Sequence, residues 1–477
     1  MIPVLTLALV VAATPAAPAA PIPPCLRLAR AGTQVQGSVT VCPGRYRIAD
    51  PTEMGVLIVA SSGTRIDLTG VTLESGDTSA PAFTGTGIAS RGVDNVEIYG
   101  GVVRGYRYGI RLEGGRGHRI TRVDVSGSRR QALRSTPERY DERDWLDIFR
   151  PDSFEPYGGG ILLKETAGAT ITGVTARNGQ NGIGLIGARN TYVGDNDVSE
   201  NSGWGIHLWR ASHNVLVRNR AHHNVRCESP VYRRGCDSAG ILLREQSDSN
   251  LVADNNLTWS GDGFFLSGQQ GLVRPSVGNV VLRNDASFAY HNGFESTFSP
   301  GNVFIENRAD SADYGFWLGY STGTTVAGNT VLGSRRSGIA IEHGSANTIS
   351  KNVIMGGQTG IQLFIRDSAG PASRDYLVND NVLADLARGI VLEKTAGARV
   401  RGNTFDGVGE GIVADSAARD AQVTGNLFLR AQRWFISAPE LTAGSNYWAT
   451  RTAEEARARV NGRVTVVPWF PASALGY

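Results

Sequence analysis

Apolar residues in this chain recur as a short strand-like phrase, Gly-Ile-x-Leu or a close variant, rather than at helical spacing. The phrase opens at Gly109, Gly160, Gly182, Gly205, Gly240, Gly263, Gly293, Gly315, Gly338, Gly360 and Gly389, at intervals of roughly two dozen residues. A fixed period of this size marks a solenoid, in which each repeat buries its apolar face only against its neighbours. Alternation of apolar and other residues over a few positions predicts short β-strands.

A second ladder supports the register. Strand-like phrases end in asparagine at Asn219, Asn255, Asn284, Asn307, Asn329, Asn352, Asn381, Asn403 and Asn426, most of them 22 or 23 residues apart. Asparagine tolerates the left-handed backbone of a tight turn. Its amide also donates and accepts, so stacked copies can satisfy one another. The glycine before each Ile is expected to supply a second sharp corner. These signals predict an all-β, single-stranded parallel β-helix. At about 4.8 Å per coil, some fifteen coils make a rod roughly 70 Å long.

The two ladders resemble the right-handed parallel β-helix proteins of the pectate-lyase-like superfamily, especially their Asn- and Gly-rich parallel β-helix repeat group. That group holds polysaccharide lyases and hydrolases, mannuronan C5-epimerases and a periplasmic protein that assists maturation of nitrous-oxide reductase. The resemblance spans about residues 60–446 and implies a right-handed coil. It implies little about activity, because many chemistries share this scaffold. An Asp-Pro-His-Asp motif of the epimerase type is absent, and Arg150-Pro151-Asp152-Ser153 does not replace it. The paired aspartates and Gly-His-Gly of polygalacturonases are also missing, as is an aspartate cluster for the calcium that many pectate lyases use. No cofactor is therefore expected; calcium stays open as an alternative that no ligand cluster in the sequence supports.

The expected organisation is a signal peptide over 1–20, an N-terminal cap over 21–60, the β-helix over 61–446 and a C-terminal cap over 447–477. The first 26 residues carry no charged side chain and include the apolar run Val4–Ala13, which reads as a secretory leader. Cys25 follows Pro23-Pro24 rather than a small-residue lipobox. No segment predicts a transmembrane helix. In an exported protein the four cysteines pair locally, Cys25 with Cys42 and Cys227 with Cys236. The expected compartment is secreted or periplasmic. With 47 basic and 44 acidic residues the chain is near neutral, which gives no nucleic-acid footprint. Oligomeric state is not legible.

If Ile and Leu of the phrase face the core, the x residue and the residue after Leu project outward on one sheet. From one coil to the next that face is expected to collect Trp204, His207, Trp209, Arg244, Asp262, Phe265, Glu295, Tyr314, Trp317, Glu342, His343 and Gln362. An exposed row of aromatics and ionisable groups suits an extended polysaccharide. Insertions at 127–157 and 226–238 precede the strand, and those at 267–279 and 365–376 follow it. They would wall a groove.

Glu295 is the leading catalytic candidate. It lies between Phe265 and Trp317, and aromatic neighbours that desolvate a carboxyl raise its pKa, as a general acid requires. Asp262, one coil away, is its expected partner at a spacing of roughly 5–9 Å. His207 and Arg244 join the catalytic set, His207 as a contact to another sugar unit. With Lys164, they are also the base and cation that elimination would need. Trp204, Trp209, Phe265, Tyr314, Trp317, Glu342, His343 and Gln362 form the expected substrate-binding set. The sequence thus predicts a polysaccharide-binding glycoside hydrolase using a carboxylate pair. The alternatives are a polysaccharide lyase or uronate C5-epimerase, and a non-catalytic glycan-binding or assembly rod.

Overall fold

The computed structural model describes residues 25–476, except 78, 137, 140, 149–153, 228–234 and 367–369. The expected signal peptide lies outside the described residues. Within them the chain winds as a solenoid whose strands pair in parallel into a 36-stranded sheet. On the first face the strands Asp262–Ser267, Asn292–Thr297 and Tyr314–Gly319 are typical, with Phe264, Phe294 and Phe316 in register. The same register runs from Ile110 through Ile161, Ile183, Ile206 and Ile241 to that point, and on through Ile339, Ile361 and Ile390. A second face stacks three-residue strands such as Val280–Leu282 on Val303–Ile305. A third is held by single bridges, among them Asn256 to Asp285 and Asp285 to Arg308.

Each coil sends its Ile, Leu and Val side chains into one continuous core. Full burial of such a side chain stabilises by about 1.5–3 kcal/mol. In the coils around residues 264–316 phenylalanine replaces isoleucine, and Phe294 stacks on Phe316 with centroids 4.8 Å apart and planes 13° from parallel.

The asparagine ladder forms as expected and extends by a copy at each end. From Asn196 to Asn446, each amide Nδ2 donates to the next Oδ1 at 2.8–3.1 Å. The backbone roles differ from expectation. The left-handed residue is the one before each asparagine, such as Arg218, Asp254, Arg283 and Glu306, with φ of 51–57°. The glycine before each Ile makes no left-handed corner either. A Cβ on Gly263 would lie 2.4 Å from the Ala286 Cβ and 2.6 Å from the Gly293 carbonyl oxygen, so close approach of adjoining coils requires glycine there.

Parallel pairing begins earlier than the expected cap boundary, at Thr33–Val35 against Leu57–Val59. It also continues past 446, where Trp469–Pro471 pairs with Asn446–Trp448. Both expected disulfides, Cys25–Cys42 and Cys227–Cys236, are present. Trp448 is buried against Phe428 as a lid on the core, beside the short helix Ala453–Arg457 capped by Thr452. Among the described residues no helix is long and apolar enough to cross a membrane.

Candidate functional site

The insertion between the strands Tyr108–Glu113 and Gly159–Lys164 folds back over the first face. Its Leu146 and Ile148 pack on Trp204, Ala239, Leu242 and Phe265. Its Phe154 packs on Tyr108, Leu162, Ile186 and Trp209. The expected exposed row is therefore corrected here. Trp204 and His207 are fully buried (0 % exposed), and Trp209, Arg244 and Phe265 are buried as well. The cause is hydrophobic, since a row of large apolar side chains on an outer face gains by acquiring a cover. Arg226 pins that cover, donating to the Asp144 carbonyl and, at 2.8 Å, to Gln131 Oε1.

His207 sits between Trp204 (centroids 4.6 Å apart) and Phe154 (6.0 Å). Neither ring nitrogen has a hydrogen-bond partner among the described residues. Burial, then the charge of Arg244, pushes its pKa well below the ordinary value, so the imidazole is neutral. Neither His207 nor Arg244 reaches solvent in this arrangement.

The face opens at the next coils, where Glu295 stands in register between Phe265 and Trp317. Asp262 enters its strand just before Gly263, and Asn292 holds the equivalent place one coil on. The Asn292 backbone N–H donates to Asp262 Oδ1 at 2.9 Å. The preceding residue, His291, brings Nδ1 to 3.4 Å from the same oxygen. Asn292 Nδ2 meets His291 Nδ1 at 3.0 Å and also donates to Glu295 Oε2. One ligand-type atom from each of Asp262, His291 and Glu295 falls within 4.8 Å of the others. Asp262 is buried, at 1 % exposure, whereas His291 and Glu295 stay partly exposed.

Each protonation state has a cause in this geometry. Burial and then the Asp262 charge raise the Glu295 pKa, against an opposing pull from His291. Burial lowers that of His291, but the hydrogen bond and charge of Asp262, with the charge of Glu295, outweigh it and lift it to about 9. Asp237, which follows the disulfide-bonded Cys236, is pushed up to about 8 by burial and by Asp262. Its carbonyl accepts from Trp204 Nε1 at 2.8 Å, which ties the covered half to the open one.

Sequence reasoning paired Glu295 with Asp262 but missed His291 and Asp237. Nothing in the sequence signalled that these three side chains would meet, where they offer an imidazole and two carboxylates that could hold a divalent cation. A cation there must compete with the proton on His291.

Tyr314 and Trp317 remain partly exposed, their rings 4.8 Å apart. The guanidinium of Arg336 lies 5.8 Å from the Tyr314 ring, and that of Arg366 lies 5.4 Å from Trp317. Gln362 is partly exposed and accepts from Ser337 at 3.0 Å. Glu342 and His343, expected on the surface, are buried. Glu342 pairs with Arg366 at 3.4 Å, and His343 stacks on Tyr320 with its Nδ1 2.7 Å from the Pro371 carbonyl.

A family model described as "Right handed beta helix region" matches residues 159–331, and one described as "Periplasmic copper-binding protein (NosD)" matches residues 256–462. The chain carries a right-handed parallel β-helix. No curated protein matches it. Among solved structures it is similar to PfbA, a surface adhesin of Streptococcus pneumoniae, at 12% identity over 81% of this chain and 83% of that one, with a TM-score of 0.40. It is similar to the periplasmic alginate epimerase AlgG at 15% identity, over 74% and 80% of the two chains, with a TM-score of 0.41. For the A-module of the Azotobacter vinelandii mannuronan C-5 epimerase AlgE4 the values are 14%, 82%, 90% and 0.40. The likeness is confined to the fold.

Proposed function

We propose that this β-helix is an extracytoplasmic, periplasmic or secreted, carbohydrate-active enzyme that cleaves an extended polysaccharide by proton donation from Glu295. The observation that carries this reading is the Asp262–His291–Glu295 cluster on the open part of the first face. A Glu295 carboxyl with a raised pKa keeps its proton towards neutral pH and can give it to the leaving glycosidic oxygen. The neighbouring imidazolium then stabilises the carboxylate left behind, and water bonds the anomeric carbon while returning one proton to that carboxylate. Asp262 is too deeply buried to act as a nucleophile on a sugar. Its role is to hold His291 charged and oriented, so the expected carboxylate pair becomes an acid with a histidine–aspartate support. The partly exposed rings of Tyr314 and Trp317 flank the chain of sugars. The two disulfides fit an oxidising compartment.

Elimination or C5-epimerisation is the second reading, favoured by the cations His291 and Arg336 beside the same face, which suit a uronate carboxylate. It needs Glu295 deprotonated as a base, so its rate would rise with pH where that of a hydrolase falls. The NosD description invokes copper. Here the four cysteines are oxidised, and Asp262, His291 and Glu295 form a harder set that suits a divalent ion better than a cuprous one. Held there, such an ion would act as a Lewis acid, and no step above requires it.

The test is product mass spectrometry on neutral and uronate polymers, comparing the mature protein with Glu295→Gln. Water-added fragments that fall by about 10²–10⁴-fold in the variant support acid catalysis. Unsaturated fragments select elimination. No mass change with either protein leaves a binding rod or C5-epimerisation, and incubation in D2O separates them, since only epimerisation places solvent deuterium at C5.

A further inference from the structure

Four residues after the ladder asparagines from Asn196 to Asn403 the backbone turns left-handed, and this corner repeats along the rod. Over successive coils it is occupied by Glu200, His223, Trp259, Phe288, Ser311, Gly333 and Gly356, with φ between 54° and 68°. Bulky side chains rarely take this conformation, yet three consecutive corners are aromatic. Trp259 and Phe288 stack with centroids 4.6 Å apart and planes 14° from parallel, and His223 stacks on Trp259 at 6.1 Å and 16°. Trp259 is 44 % exposed and Phe288 is 41 % exposed. The ring normals therefore run along the rod, Trp259 is sandwiched between its two neighbours, and Phe288 uses one face on Trp259.

The stack then stops. Phe288 N–H donates to Asp310 O at 2.6 Å, and Ser311 N–H to Leu332 O at 2.8 Å, so Ser311 and then Gly333 hold the next corners. A Cβ on Gly333 would lie 3.8 Å from Ser311 Oγ. The second face of Phe288 thus looks onto a shelf whose corner side chains are no larger than a hydroxymethyl, one coil or about 4.8 Å high. The Arg335 guanidinium lies beside it, donating to the Ser311 carbonyl and, at 3.3 and 3.0 Å, to those of Ala289 and Tyr290. That height accommodates a flat saturated ring in place of the missing aromatic one. Arg336, three residues beyond Gly333, has a side chain 62 % exposed, lies 3.9 Å from Asp313 and donates to the Tyr314 hydroxyl at 3.5 Å. Phe288 is also three residues before His291, on the coil of the proposed acid centre.

We infer that the shelf above Phe288 is a binding subsite for a sugar ring of an acidic polysaccharide. The ring stacks on the open face of Phe288, and its carboxylate is drawn to Arg336. The inference rests on reading the first face as a polysaccharide site, and it deepens that reading by assigning the edge at which the polymer crosses onto the sheet. The strip is one residue wide and bordered by polar corners, too small for a stable protein interface.

Affinity electrophoresis of the full mature protein tests it, with polygalacturonate or hydroxyethyl cellulose cast in the gel. Wild type is expected to be retarded by polygalacturonate. Ser311→Phe continues the ring stack at a corner that is already left-handed, so it fills the shelf and should weaken retardation about fivefold or more. Phe288→Ser and Arg336→Ala should weaken it as well. An unchanged thermal midpoint for Ser311→Phe keeps the result interpretable even where Phe288→Ser fails to fold. Retardation of Ser311→Phe equal to wild type overturns the subsite and leaves the polysaccharide reading standing. Retardation of wild type by the neutral polymer alone overturns the acidic assignment. Absence of retardation in both gels overturns the polysaccharide reading and the subsite together.

Discussion

Residues 159–265 and 292–364 present the same strand phrase to the same face of one rod, yet the first stretch is roofed and the second is open. Trp204, His207 and Phe265 occupy positions equivalent to Asn292, Glu295 and Trp317 within the phrase, but they lie under Leu146, Ile148 and Phe154 while Glu295 and Trp317 keep surface. Position in the repeat decides only which way a side chain points. Whether it meets solvent is decided by an insertion that begins dozens of residues earlier.

The contrast is broken most severely by emptying the covered half. Trp204→Ala removes a fully buried ring and its hydrogen bond to Asp237, and should cost about 3–5 kcal/mol, read from denaturant midpoints. The same truncation in an exposed row would leave stability nearly unchanged, which would sink the roofed arrangement.

pH gives the next effect. Asp237 holds its proton up to about 8 in the folded chain and releases it near 4 when unfolded. Across that window the folded state binds the extra proton, so stability falls as pH rises. Glu295 is shifted in the same direction. His291, raised to about 9, contributes stability fully present below its unfolded value near 6.5 and lost as pH passes through 9. Thermal midpoints should therefore drop between pH 6 and 9.5. A double variant, Asp237→Asn with Glu295→Gln, should drop less. Equal slopes for the two proteins would remove the carboxyls from this account.

The smallest effect sharpens the open side. Trp317→Ala should change stability by under about 1 kcal/mol, while weakening retention on a polysaccharide gel about fivefold.

The fold was legible because a repeat writes its own register. The Gly-Ile phrase, the asparagine ladder and the outward direction of Glu295 all follow from period and alternation. Glycine and asparagine were assigned the wrong backbone tasks, because a residue that permits a turn and one that permits close approach look alike in sequence. The cover over Trp204 and His207 was not legible, since nothing in residues 127–157 states where they fold. His291 escaped because it sits two places before the glycine, outside the phrase, although it shares a coil with Glu295 and is one of seven histidines in the chain. Asp237 depends on a disulfide-closed loop whose path no periodicity describes.

The asparagine ladder also sets a direction. Each side-chain oxygen accepts from the asparagine before it, and each amide also donates back to a carbonyl of the preceding coil. At Asn446, which has no next copy, the amide donates to Val423 of that coil and to Ala443 of its own. Nothing in a link depends on how many links precede it. The rod's length is thus a count of copies rather than a balance of forces, and recombination at whole periods can lengthen or shorten this protein stepwise while leaving each remaining step as it was.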